Sequence, residues 1–227
     1  MRHRKTIGLL LFTLLALALL PPSEAMRPCA NQLWPRFFYS GFDNGDTEGF
    51  ILYPPTAWLP ENGNTVLASQ DNGCTDWVAA WLMDGFLWTD YILQASVQYK
   101  NGTCNNLGLM YRMRNLTQYY LFVLRDGTTA SLIRYTNGVP DREESVPYAY
   151  QPDRWYVLRV EVAGDEHTAH VNGVPVLSWT DSGCPQGTGG LVAKGTHAWF
   201  DGVFVIVRPP LPPPLAQHNQ EGIHQGE

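Results

Sequence analysis

"RWYVLRVEVAGDEHTAHVNGVPVLSWTD" covers residues 154–181 and reads as strand, turn, strand, turn, strand. Tyr156, Leu158, Val160 and Val162 alternate with Trp155, Val157, Arg159 and Glu161. A period of two places one set on a core and the other on the opposite face. Gly164-Asp165 turns the chain. Asn172-Gly173 supplies two neighbours that tolerate positive φ, the strongest short hairpin signal. A ribbon with two such different faces makes its second face the functional question.

The same period recurs on either side. Tyr91, Leu93, Ala95 and Val97 share one face, with Ile92, Gln94, Ser96 and Gln98 opposite. Leu107, Leu109, Tyr111 and Met113 face one way; Met110, Arg112 and Arg114 face the other. "YYLFVLRD" (119–126), "SLIRY" (131–135), "GGLVA" (189–193) and "AWFDGVFVIV" (198–207) continue the series. The count is about twelve short strands in sequence, the pattern of an all-β, two-sheet antiparallel sandwich. Hydrophobic residues make up 44% of the chain, enough for one full core.

The ends read differently. Arg2, Arg4 and Lys5 precede an apolar run from Ile7 to Leu20, then Pro21-Pro22 and the small residues Ser23 and Ala25. That order predicts a secretory signal peptide over 1–25 and a secreted, extracellular product. Of 15 basic and 21 acidic residues, cleavage would remove three and one, leaving 12 and 20 and a net charge of −8. An acidic chain without a basic patch argues against nucleic acid, and no second apolar run after the signal is long enough to cross a membrane. Residues 26–35 read as a lead-in, 36–208 as the domain, and 209–227, opening with "PPLPPPL", as a Pro-rich disordered tail. Cys29, Cys74, Cys104 and Cys184 allow three pairings. "NGT" (101–103) and "NLT" (115–117) match the N-glycosylation acceptor pattern.

"GFDNGDTEGF", "DYILQASV", "NNLGLMYRMRNLTQYYLFVL", "RWYVLRVEVAGDEHTAHVNGVPVL" and "GTGGLVAKGTHAWFDGVFV" occur in that order. Together they resemble concanavalin A-like jelly-roll domains, the laminin-G-like and family 16 glycoside-hydrolase-like group that includes 3-keto-disaccharide hydrolases. The resemblance covers about residues 40–207 and implies a fold more firmly than an activity. It implies antiparallel pairing of strand 37–43 with the last strand, and a hairpin of strands 64–70 and 77–83 with Cys74 at its tip. It therefore implies the disulfides Cys74–Cys104 and Cys29–Cys184.

The resemblance also implies a concave sheet that binds ligand, lined by Gln94, Arg112, Tyr120, Arg159 and Glu161, with Trp88 at one end. Arginine forks, amides and flat aromatics are the groups that bond and stack on sugars. Trp58, Trp77, Trp81 and Trp199 are further platforms, although tryptophan is also ordinary sandwich core. The E-x-D-x-x-E of family 16 hydrolases is absent; Glu143-Glu144 fall in an expected loop, and Glu161 is the one weak catalytic candidate. His167, His170 and His197 read as surface residues, the first two on opposite strand faces. Asp43 and Asp201 should meet on the first and last strands, where a structural Ca2+ would relieve their repulsion. The expected function is non-catalytic recognition of a carbohydrate or extracellular polysaccharide. The alternatives are a glycoside or 3-keto-glycoside hydrolase and a laminin-G-like protein-binding module.

Overall fold

The computed structural model describes residues 36–63 and 65–208. The expected signal peptide, lead-in and Pro-rich tail, and Cys29, lie outside the described residues.

Among the described residues fifteen strands follow in order: β1 (Arg36–Ser40), β2 (Phe50–Tyr53), β3 (Trp58–Glu61), β4 (Val66–Ser69), β5 (Val78–Leu82), β6 (Tyr91–Asn101), β7 (Asn106–Asn115), β8 (Gln118–Arg125), β9 (Thr129–Thr136), β10 (Val139–Pro147), β11 (Tyr156–Ala163), β12 (Glu166–Val171), β13 (Val174–Thr180), β14 (Thr188–Lys194) and β15 (His197–Val207). The first sheet has the order β13-β12-β11-β6-β15-β4-β3, with β1 also on β15. The second has the order β10-β9-β8-β7-β14-β5-β2. Every pairing among the described residues is antiparallel, which short turns demand where consecutive strands pair. The two sheets enclose one core, and the fold is the expected concanavalin A-like sandwich.

Burial follows the alternation of the opening stretch. Tyr156, Leu158, Val160 and Val162 are buried while Val157, Arg159 and Glu161 are not fully so. Asn172 and Gly173 take φ of 52° and 81° at the β12–β13 turn. From the second sheet, Leu107, Leu109, Phe122, Leu124, Leu132 and Leu191 meet this face. A fully buried leucine of this kind contributes about 2–3 kcal/mol over an exposed one.

Two expectations fail at the level of elements. β4 pairs with β15 in the first sheet, whereas β5 pairs with β14 in the second. The chain therefore crosses between sheets at 70–77 instead of turning back as a hairpin. Glu143 and Glu144, expected in a loop, lie on β10, an edge strand paired with β9 through the Asn137-Gly138 turn. Its charged residues suit an edge that must not extend.

β15 carries a bulge between Asp201 and Phe204, with Gly202 at φ 55°. Its first half pairs with β4 and its second half with β1. No helix among the described residues is long and apolar enough to cross a membrane.

Candidate functional site

The outer face of the second sheet is unusual. Ala79, Trp81, Met110, Met113, Leu121, Val123, Ile133 and Val192 form a second apolar cluster there, separate from the core between the sheets. Trp77, Tyr119 and Tyr135 pack against it. Tyr119 and Tyr135 stack with centroids 4.7 Å apart. The Trp77 indole N–H donates to the Tyr135 hydroxyl at 3.0 Å. Burial, then neighbouring Tyr135 and Asp76, raise the Tyr119 pKa, so its hydroxyl stays neutral.

This aromatic group borders a groove of about 960 Å3. One wall is the crossover at 70–77, together with Tyr53 and Thr56; the other carries Leu116, Gly138 and Pro140. The crossover is held firmly. Cys74 and Cys104 are bridged, as expected. Asp71 accepts from the Thr103 amide and hydroxyl at 3.0 and 2.9 Å. Asn72 accepts from the Gly195 amide at 2.8 Å and donates to the Asp76 carbonyl. Most polar groups on that wall are thus already committed. Asp76, with no side-chain hydrogen bond among the described residues, is exposed. Lys194 stands 6.0 Å from the Trp77 ring centroid.

The expected ligand residues do not form one site: Gln94, Arg159 and Glu161 come together, and Arg112, Tyr120 and Trp88 lie elsewhere. Gln94 and Arg159 are cross-strand partners on the outer face of the first sheet. There Glu161 pairs with Arg159 and, at 3.2 Å, with Arg208. Tyr120 points into the core and is fully buried. Trp88 is buried too, against Tyr91. Arg112 is the sharpest correction. The register of β7 slips between Tyr111 and Asn115, and Arg112 takes φ 45°. This bulge reverses the alternation, moving Met113 to the outer cluster and Arg112 to the interior, 1% exposed.

There Arg112 donates to the carbonyls of Thr89 (2.9 Å), Gly164 (2.6 Å) and Cys184 (3.4 Å). His167, expected at the surface, is fully buried beside it. Trp179 donates to His167 Nδ1 at 2.8 Å, and Arg112 Nη1 lies 3.2 Å from Nε2. Burial, then the Arg112 charge, lower the His167 pKa to about 4. Nearby, Asp181 accepts from Tyr120 (2.5 Å), Arg134 (2.8 Å), Arg142 (3.0 Å) and the Gly183 amide (2.9 Å). Burial alone would raise its pKa; these donors outweigh it and bring it to about 2. The cluster ties β12 of one sheet to β7, β8, β9 and β10 of the other, and its groups bond one another. His170 does lie on the outer face, and His197 pairs with Glu61 at 2.9 Å.

Asp43 and Asp201 do approach, because β1 ends where the β15 bulge begins. Burial raises the Asp201 pKa, the Gly202 amide opposes, and the Asp43 charge adds to the rise. Among the described residues no three acidic, histidine or cysteine side chains converge as a metal site. Cys184 is buried and forms no disulfide among the described residues; its expected partner, Cys29, lies outside them.

Residues 38–206 match the family described as 3-keto-alpha-glucoside-1,2-lyase-like domain, and the chain belongs to that family. No curated protein sequence matches it. Among solved structures, the carbohydrate-binding module CBM66 from Bacillus subtilis superposes with TM-score 0.60 at 18% identity, covering 70% of this chain and 95% of its own. The Bacillus licheniformis beta-glucanase gives TM-score 0.57 at 12% identity, over 76% of this chain and 98% of its own. A structure described as a native glycosidic hydrolase gives 0.55 at 13%, over 78% and 97%. At such identities the likeness is one of fold.

Proposed function

We propose that this member of the 3-keto-alpha-glucoside-1,2-lyase-like family is a secreted module that binds carbohydrate in the groove over its second sheet without cleaving it. The observation that carries the reading is the stacked Tyr119–Tyr135 pair with Trp77 beside a broad groove. Flat rings of this kind match the C–H faces of a pyranose, and Asp76 and Lys194 offer a free acceptor and donor for its hydroxyls. Family membership and the carbohydrate-related solved structures support a saccharide as the ligand class.

A second reading is cleavage of a glycoside or 3-keto-glycoside. Two observations favour it: the family, and the one uncommitted carboxylate of the groove, Asp76, beside Tyr119. A carboxylate there could take a proton from a bound sugar, with Lys194 near enough to the ring wall to meet a developing negative charge. Calcium between Asp43 and Asp201 also belongs to the proposal, as a brace where β15 changes partner.

The test is a glycan and polysaccharide binding screen on the mature chain, with calcium and with chelator, and with released sugar measured in parallel. Saturable binding without release, lost in Trp77→Ala and kept in Arg159→Ala, is the expected result. Sugar release that disappears in Asp76→Asn would replace it with the enzymatic reading. Chelator that changes neither binding nor melting would remove calcium.

A further inference from the structure

The chemistry of the groove is lopsided. Its polar wall offers few unspent groups: Asp71, Asn72 and Thr75 hold the crossover itself, and Gln70 donates to Glu61. Asp76 and Lys194 remain, with the hydroxyls of Tyr53 and Thr56, and Lys194 makes no ion pair among the described residues. Across from them the lining is apolar or aromatic, its side-chain polar atoms being the hydroxyls of Tyr119 and Tyr135. Met110, Val192 and Ala79 form the floor within the groove, and Leu116, 49% exposed, forms its far rim. The floor continues beneath the aromatic group as a strip of Leu121, Val123 and Ile133. Trp81 ends that strip with a buried indole N–H that has no hydrogen-bond partner. A polysaccharide presents hydroxyls along its whole length, and each buried one needs a partner. This groove can satisfy about one ring.

We infer that the ligand is a glycoconjugate: one sugar ring read by Asp76 and Lys194 and stacked on the aromatic group, joined to an apolar aglycone that lies along the Leu116–Met110 side. Methionine suits such a role, since its unbranched, polarizable chain adapts to varied apolar shapes. The inference rests on the saccharide reading of the groove and narrows it.

The experiment titrates the full chain with matched methyl and octyl pyranosides of glucose, galactose and mannose, the octyl compounds kept below micelle formation. Octyl phosphocholine serves as a chain without a sugar. The expected result is at least tenfold tighter binding of an octyl glycoside than of its methyl partner, with the sugar head still discriminated. Leu116→Asp, an exposed change that leaves the core alone, should reduce that ratio toward one, and Met110→Gln should do the same. Equal affinity for methyl and octyl forms, or a preference for unsubstituted oligosaccharide, overturns the aglycone while the saccharide reading stands. Octyl phosphocholine binding as tightly as the glycosides overturns it because the sugar is then not read. If neither glycoside series binds, the saccharide reading falls with it.

Discussion

Arg112 illustrates how one backbone angle reassigns a residue. Its sequence neighbours put it opposite Tyr111 and hence on a binding face, and the alternation is correct up to that point. The bulge at φ 45° is invisible to a period-two count, because arginine is not a residue that advertises positive φ. The buried guanidinium now answers three carbonyls, so Arg112→Ala should cost about 3–5 kcal/mol in urea unfolding while leaving groove binding intact in the folded protein. Arg159→Ala, in a partly exposed pair with Glu161, should cost less than about 1 kcal/mol. Comparable losses in the two variants would contradict the placement of Arg112. Trp77 is recognisable from sequence as an aromatic beside a cysteine loop. Tyr119 and Tyr135 are not, since a strand apolar on both faces, as in "YYLFV", announces two buried faces without saying what lies over the outer one.

Strands were more legible than their partners. The alternation marks β6, β7, β11 and β15 within a residue or two, and Asn172-Gly173 fixes a turn. What the sequence leaves open is which sheet a strand joins: β4 and β5 are both short and buried throughout, and nothing local tells a crossover from a hairpin. The bridge at Cys74–Cys104 matters because of that crossover. It closes a span of 30 residues, and loop-closure entropy makes it worth about 3–4 kcal/mol. The Cys74→Ala/Cys104→Ala double variant should lose that much stability in calorimetry. It should also bind ligand more weakly than its stability alone explains, because the crossover is a groove wall. A variant that melts earlier yet binds normally would show that Asp71 and Asn72 hold the wall unaided.

For the molecule as a whole, the two sheets are joined at one end by the cluster around His167 and Asp181, and acid should part them in two stages. Unfolded, His167 takes up a proton near pH 6.5; folded, it does so only near 4. Between those values the unfolded chain binds more protons, so stability falls with pH by about 3 kcal/mol across this range. Asp181, lowered from 3.8 to about 2, extends the decline below that window. Chemical denaturation from pH 7.5 to 3 should therefore show a loss beginning near 6.5, and His167→Gln should flatten its upper part only. A profile unchanged by His167→Gln would place the first stage elsewhere. The far rim of the groove carries one more consequence, for whoever prepares the protein. Leu116 is the middle residue of an Asn115-Leu116-Thr117 acceptor triplet whose three members are exposed. A yeast or mammalian host that modifies Asn115 would hang a branched oligosaccharide over the mouth, so a negative binding result from such material would report on the choice of cell.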